Sequence, residues 1–209
     1  MPPSSPSPKR DAQRTRQRIL ETATRVFAQE GFEGARIDEI AEKAGSNKRM
    51  IYVYFGDKEG LYSEVVRELF DRLFTAGEPP DPTMAPAEQV RQALRRYFFF
   101  LAQNDHLVRL LSFELLGSGQ RASTALANQT SAGLEQMRSA LTEGMRRGVF
   151  RKDLDLRQLM LSLQVLCVGH FTHQPLAKAL WKRDFSDSKV LDQTVEHIVS
   201  LVLEGISTS

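Results

Sequence analysis

The chain has 209 residues, of which 41% are hydrophobic and 26% charged, a composition of folded globular proteins rather than disordered chains. Its one cysteine, Cys167, excludes an intramolecular disulfide and a cysteine-rich zinc module. The longest apolar run, Tyr97–Ala102, is far shorter than the ~20 residues of a membrane span, and the first residues lack the apolar segment of a secretory signal. These features predict a cytoplasmic protein without a membrane partner.

The net charge of +2 is unevenly distributed along the chain. Residues 9–25 contain six basic and two acidic side chains, whereas residues 61–209 contain 17 of each. A basic segment ahead of a compact module suits a polyanionic partner such as nucleic acid. The same segment also fits a solvated, disordered tail.

Prolines and apolar periodicity indicate the organisation of the chain. Four of the nine prolines lie in residues 2–8, which predicts a disordered tail over residues 1–10. The cluster Gly77–Pro82 predicts a loop. Residues 9–78 and 87–174 contain no proline and show helical rather than alternating apolar spacing. The fold class is therefore all-α, with about nine helices.

Residues 11–60 contain a helix-turn-helix pattern. A supporting helix ends at Gly31, two short helices follow, and a fourth begins after Asp57. Gly45 supplies the positive φ that the tight turn requires, and Ser46 or Asn47 caps the next helix. The predicted helices are Thr15–Glu30, Ile37–Ala44, Lys48–Tyr54 and a fourth, capped by Asp57, that runs toward Thr75.

The third predicted helix has two different faces. Ile51 and Phe55 are one turn apart and can pack inward, whereas Lys48 and Tyr52 form another face. Asn47, Arg49 and Tyr54 lie at its edges. A short helix that presents such side chains to solvent suits the major groove of DNA.

Five segments of this region carry a resemblance to a known family. They are Gly31–Phe32, Ile37–Ala41, Ala44–Lys48, Ile51–Phe55 and Lys58–Leu61. Together they resemble the TetR/AcrR family of bacterial transcriptional regulators over residues 14–62 without a gap. The resemblance implies a three-helix DNA-binding domain followed by a helical domain, residues 61–209, for ligand binding and dimerisation.

The resemblance also implies DNA contacts by position. Arg36 and Ile37 depart from the family pattern, in which Ser or Thr is usual before the second helix and Thr often follows. Arg49 either adds a base contact, such as a bidentate one to guanine, or contacts phosphate or solvent. Arg14 and Arg16 either reach the DNA or belong to a solvated arm. The expected DNA-binding residues are Arg36, Ser46, Asn47, Lys48, Arg49, Tyr52, Tyr54 and, as a phosphate contact, Lys58.

The remainder of the chain predicts five further helices. The last has an apolar arc too wide for a helix that touches only its own core, which indicates a second partner surface. The resemblance implies a homodimer in which the last two long helices pair. The predicted helices are Pro86–Gln103, Asp105–Leu116, Arg121–Arg147, Asp155–Thr172 and Asp187–Glu204. The expected interface residues are Leu159, Leu163, Leu166, Leu191, Val195, Ile198 and Val202.

A small-molecule pocket among the middle helices is also implied by the resemblance. The phenylalanines are alternatively plain core. Arg109 and Glu114, which are possible polar anchors of a ligand, are alternatively surface or paired charges. His170 and His173 have a metal-compatible spacing but lack a third ligand at clear spacing, so no metal or cofactor is expected. Cys167 is either a small buried hydrophobe or a redox sensor. The candidate lining residues are Phe98, Phe99, His106, Arg109, Phe113, Leu163, Cys167 and His170.

These observations together predict a homodimeric repressor that binds a palindromic operator in double-stranded DNA and is released by a small-molecule effector. The alternative is a protein of the same fold that binds DNA without a small ligand, as an architectural or protein-partnered regulator. An enzyme is not expected, because no glycine-rich phosphate loop, nucleophile elbow or paired-histidine metal motif occurs. The expected location is the bacterial cytoplasm, in association with the nucleoid.

Overall fold

The computed structural model describes residues 8–75, 81, 83–117, 119–127 and 132–208. In this part of the chain the regular structure is helical, apart from an isolated bridge between Phe150 and Ser207. The all-α prediction is therefore confirmed. Most of the predicted tail and most of the predicted 77–82 loop lie outside the described residues.

Ten helices are present in the described residues. Chain contacts divide them into two compact units: Met1–Phe70 with Arg109–Asn128, and Asp71–Val108 with Gln129–Ser209. The division falls within α4 and within α6. The helices are α1 (Pro8–Gly34), α2 (Ile37–Lys43), α3 (Lys48–Phe55), α4 (Lys58–Thr75), α5 (Pro86–Gln103), α6 (Asp105–Leu116), α7 (Gln120–Leu126), α8 (Ala132–Arg146), α9 (Leu156–Trp181) and α10 (Ser188–Ile206).

Several helix boundaries differ from the predicted ones. The predicted helix 121–147 is wrong as one element, because α7 and α8 are separate in the structure, with residues 128–131 outside the described residues. The predicted end of the next helix at Thr172 is also wrong, because α9 continues through Pro175 to Trp181. Trp181 is the exposed last residue of α9.

The helical backbone of α1 is interrupted at Gly31, the glycine that was expected to end the first helix. Gly31 has φ 69° and ψ 179° and forms a kink, after which α1 continues to Gly34. The ring of Phe113 lies 3.1 Å from where a Cβ at position 31 would be. The backbone angle requires glycine there, and the close approach of the Phe113 ring adds to the preference.

The first unit has a core formed by α1, α2 and α3. Ile19, Val26 and Phe27 of α1 are buried together with Ile40 of α2 and Ile51 of α3. With buried Ala23, the α1 residues recur at three- and four-residue spacing, so one stripe of this helix is removed from water. The direction of α3 is therefore set by apolar packing.

The end of α6 belongs to the same unit through a buried polar contact. The hydroxyl of Tyr62 donates to the Glu114 carboxylate at 2.6 Å, and the backbone N–H of Ala122 donates to its other oxygen at 2.9 Å. Burial and the bond to Glu114 raise the pKa of Tyr62 far above its usual range. These two donors satisfy a carboxylate that would otherwise be costly to bury.

A second contact joins α7 to the end of α1. The guanidinium of Arg121 lies 4.0 Å from the centre of the Phe32 ring and 2.5 Å from the Glu33 carboxylate. Phe32 in turn packs edge-on against Tyr62, with ring centres 5.1 Å apart. The unit that contains the helix-turn-helix therefore includes residues distant in sequence.

The second unit is built around α5, which packs on α8, α9 and α10. Val90, Leu94 and Phe98 of α5 are buried, as are Leu141 of α8 and Val195 of α10. On the surface, Glu196 of α10 pairs with both Arg91 and Arg95 of α5. Aspartates cap the last two helices, Asp155 before α9 and Asp187 before α10.

A glycine-to-alanine pair tests the packing of this second unit. A Cβ at Gly144 would overlap the ring of buried Phe150, whereas one at Gly205 would meet nothing within 4 Å. Gly144→Ala should lower the free energy of unfolding by about 1–3 kcal/mol through overpacking. Gly205→Ala should leave it unchanged or raise it, since alanine is the better helix former. Urea unfolding measures both, and equal effects would contradict the described packing.

Candidate nucleic-acid interface

The turn between α2 and α3 is held by backbone geometry and one side chain. Gly45 has φ 56°, the left-handed conformation that the tight turn requires. The N–H of Ser46 donates to the Ala41 carbonyl at 2.9 Å, and the guanidinium of Arg18 donates to the Gly45 carbonyl at 3.2 Å. The turn is thereby tied to α1.

The start of α3 is capped by a side chain. Of the two expected capping residues, Asn47 is the one used: its Oδ1 accepts from the Met50 N–H at 3.0 Å. Its backbone is extended, with φ −97° and ψ 153°. An asparagine cap contributes about 1 kcal/mol to helix stability, and here it also fixes where α3 begins.

The two faces of α3 are separated as the sequence predicts. Ile51 and Phe55 are buried, whereas Asn47, Lys48 and Arg49 are exposed. Tyr52 is 44% exposed and Val53 is 65% exposed. Tyr54 and Ser46 are partly buried. The surface of α3 therefore offers cationic groups at its N-terminal end and a tyrosine with a valine one turn later.

Lys48 is bound to an acid on the neighbouring helix. Its Nζ lies 2.9 Å from an oxygen of Asp38, in the first turn of α2. The hydrogen bond to Asp38 raises the pKa of Lys48, so its ammonium stays charged. The positive charge of Arg36 opposes this rise in the pKa of Lys48.

Two further cations flank α3. Arg36 precedes α2 in an extended conformation, is exposed, and makes no capping hydrogen bond with its side chain. Lys58 begins α4, with its Nζ 4.6 Å from the centre of the Phe32 ring and donating to the Glu33 carbonyl at 3.4 Å. Both lie next to the turns that precede and follow the short helices.

The basic residues of α1 have different surroundings. Arg16 pairs with Glu64 at 2.5 Å and lies 5.0 Å from the ring of Phe55, so it packs within the domain. Arg14 is exposed. Arg16, for which a DNA contact or a solvated arm was expected, thus contacts the buried side of α3 instead.

Three residues of this interface were not anticipated from the sequence. Asp38 is ten positions from its partner Lys48, and Arg18 is 27 positions from the turn that it holds, so neither spacing indicates the contact. The exposure of Val53 could have been predicted from the sequence, because it lies one turn after Arg49 on the same side of the helix.

The candidate pocket residues are divided between the two units. Arg109 is exposed, and Phe113 packs on Gly31 in the first unit. His106 is partly exposed beside Asp105 in the second unit. Arg109 and Phe113 of the candidate pocket residues therefore lie in the first unit. The candidates in the second unit are Phe98, Phe99, His106, Leu163, Cys167 and His170.

An aromatic cluster surrounds His170 in the second unit. Its ring lies 5.2 Å from Phe98, 5.0 Å from Phe171 and 6.2 Å from Phe185, measured between centres. Burial lowers the pKa of His170, which favours its neutral form. His173 is exposed, and its ring Nδ1 forms a hydrogen bond with the Gly169 carbonyl at 2.9 Å. Among the described residues, no three His, Cys, Asp or Glu side chains are grouped to hold a metal ion.

The residues expected at the dimer interface are mostly buried within one chain. Leu163, Val195, Ile198 and Val202 belong to the core of the second unit, which leaves them little surface for a partner. Leu159 and Leu191 are partly buried, and Leu166 is exposed. Besides Leu166, the large exposed apolar residues of α9 and α10 are ones that were not expected at the interface, namely Leu161, Val165, Leu176, Leu180, Trp181 and Leu201.

A short capped helix with a polar outer face, held across a tight turn by two supporting helices, defines the class of helix-turn-helix DNA-binding proteins. Sequence comparison agrees. A family model described as bacterial regulatory proteins, tetR family, matches residues 19–65, and one described as tetracyclin repressor-like, C-terminal domain, matches residues 86–202. The chain belongs to the TetR family of transcriptional regulators, and it is not an enzyme.

Individual relatives extend over most of the chain. The transcriptional repressor NicS of Pseudomonas putida is 29% identical over 93% of each protein. The repressor SCO4008 of Streptomyces coelicolor is 30% identical over 74% of this chain and 77% of its own. The fatty acid degradation regulator FadR of Bacillus halodurans shares the fold, with a TM-score of 0.70 over 96% of this chain and 97% of its own at 22% identity. Among the described helices none is long and apolar enough to cross a membrane.

The surroundings of Cys167 predict an unreactive thiol. The residue is fully buried, and burial raises its pKa to about 12. At pH 8 the native protein should react with a thiol reagent at least ~100-fold more slowly than an exposed cysteine, because the thiolate is the nucleophile. Asp153→Cys, at an exposed position, supplies one fast thiol as the control. Rapid labelling of the native wild-type thiol would contradict this, and would revive the redox alternative.

Proposed function

We propose that the protein is a homodimeric repressor that binds a palindromic operator through α3 and is released by a small-molecule effector. The observation that carries the proposal is the two-faced helix α3. Ile51 and Phe55 are buried, whereas Lys48 and Arg49 at its N-terminal end are exposed. In helix-turn-helix complexes the N-terminal residues of this helix contact base edges in the major groove.

The side chains of this surface divide by chemistry into base and backbone contacts. Lys48 and Arg49 suit the acceptors of guanine, and exposed Val53 suits the methyl group of thymine. Arg36 and Lys58, beside the turns, suit phosphate oxygens. Tyr52 contributes a ring and a hydroxyl next to Lys48. The proposal therefore assigns sequence reading to α3 and positioning to its two flanks.

An exposed apolar face on the last two helices supports dimerisation. Leu161, Val165 and Leu176 lie on one side of α9, opposite the buried Leu163 and Cys167. Val165 is 60% exposed, and Leu201 of α10 is 51% exposed. Apolar residues repeated along one helix face indicate a partner rather than solvent. A second copy related by two-fold symmetry would place two α3 helices on two half-sites.

The second unit supplies candidate ligand chemistry. The aromatic rings around His170 offer an apolar wall, and the neutral imidazole of His170, whose Nε2 lies 3.2 Å from the Gln174 side-chain nitrogen, is the polar group among them. An effector releases DNA if it binds better to a conformation in which the two α3 helices no longer match the half-sites. Two relatives described as repressors, NicS and SCO4008, support this sign of regulation.

DNA selection from a random pool tests the proposed recognition helix. At a stated salt concentration the wild type should enrich a palindrome. Lys48→Ala and Tyr52→Ala should each weaken operator binding by about 10- to 100-fold, the range of about 1–3 kcal/mol for one base contact. The matched control is Lys43→Ala, which also removes one lysine charge. Lys43 belongs to α2 and not to α3, and it pairs with Glu39 and lies near Glu30 of α1.

Gel filtration of the variants shows whether the dimer is retained. Operator binding that survives both Lys48→Ala and Tyr52→Ala unchanged would contradict the assignment of α3. Salt-sensitive binding without an enriched palindrome would favour an architectural protein instead.

Charged substitutions test the proposed dimer face. Val165→Glu and Leu201→Glu should each produce monomers in analytical ultracentrifugation, since a carboxylate in an apolar interface would be left unpaired. Val195 and Val202 are unsuitable for this test because both are buried within the chain. The control is Leu116→Glu, at an 87% exposed position outside α9 and α10. Dimers that persist in both variants would overturn the proposed face.

A further inference from the structure

A carboxylate lies beside the cationic end of α3. Asp38 is exposed in the first turn of α2. One of its oxygens is 2.9 Å from the Lys48 Nζ, and the ammonium also donates to the other oxygen at 3.1 Å. Since Lys48 is the first residue of α3, this ion pair bridges the two short helices at the end of α3 that enters the groove in this class of protein.

The neighbouring acid, Glu39, provides a comparison, because its ion pair lies within α2. Glu39 also lies in the first turn and pairs with Lys43 one turn along the same helix. An acid in a first turn is stabilised by the helix dipole, which accounts for both residues. The dipole does not account for a contact from Asp38 to a different helix.

The position of Asp38 has two consequences for DNA binding, one electrostatic and one conformational. Its negative charge is repelled by the phosphates of any duplex, which weakens binding that depends on charge alone. Its bonds to Lys48 also hold a flexible side chain in one place, so less freedom is lost when Lys48 contacts a base. Where a carboxylate lies at a base edge, a hydrogen bond from a base donor, such as the amino group of cytosine, offsets the repulsion by the phosphates.

We propose that Asp38 is a specificity-determining residue, which discriminates in favour of the operator by weakening binding to all other DNA. Repulsion against the wrong partner is a general route to specificity. This inference rests on the proposed function, because it requires α3 to be the recognition helix. It adds a residue of α2 whose charge opposes that of the rest of the surface.

The experiment compares two dissociation constants for each variant. Fluorescence anisotropy gives the affinity of the full-length protein for its selected operator and for a random duplex of the same length, at several salt concentrations. Asp38→Asn should tighten binding to the random duplex by about three- to tenfold. It should change operator binding by less, so that the ratio of the two constants falls at least about threefold.

Two further variants separate charge from structure. Glu39→Gln removes the neighbouring acid and should leave the ratio unchanged. Asp38→Glu keeps the carboxylate and should keep weak binding to the random duplex. An unchanged ratio in Asp38→Asn, an equal fall in Glu39→Gln, or tight random binding by Asp38→Glu would each overturn the inference.

The wild-type measurement separates this inference from the function on which it rests. A wild type that enriches no operator contradicts the proposed function itself. A selective wild type whose ratio persists in Asp38→Asn overturns the role of Asp38 alone. Thermal unfolding of each variant verifies that the helix-turn-helix remains folded.

Discussion

The burial of Ile51 and Phe55 beneath α3 is the interaction on which the exposed surface of α3 depends. A helix of eight residues, such as α3, is not stable in water by itself. Because the two apolar residues are one turn apart, packing them against the other helices fixes both the position and the rotation of α3. The outward direction of Lys48 and Tyr52 is therefore decided by side chains that are themselves buried.

The helices could be predicted from sequence where local signals determine them. The limits of α5 and α6 were predicted correctly, because Pro86 and Asp105 are favourable first residues of a helix. The boundary between α7 and α8 was missed, because apolar residues continue at helical spacing on both sides of it. The predicted helix end at Thr172 was wrong, because contacts on both sides of Pro175 support α9: Gln174 donates to the Phe185 carbonyl and Lys178 donates to Asp184.

The candidate site was predictable to the extent that it lies on one short helix. Spacing alone indicates that Lys48 and Tyr52 share a face, whereas the contact of Asp38 with Lys48 depends on the angle between two helices. The division of the pocket residues was unpredictable because α6 contributes to two units, with Phe113 packed on Gly31. An apolar stripe also fails to distinguish a core from a partner surface, which is why Val195 and Val202 were expected at the interface.

The buried contact between Tyr62 and Glu114 makes the DNA-binding module discontinuous in the chain. Gene fusions commonly exchange such modules by a single cut in a loop, on the assumption that one stretch of sequence folds alone. Here a cut after residue 60 would remove Tyr62 from α4 together with Glu114 and Arg121, and would uncover the Phe32 ring that they enclose. A chimera that transplants this specificity to another regulator must therefore carry two separate pieces of the chain, 8–70 and 109–127.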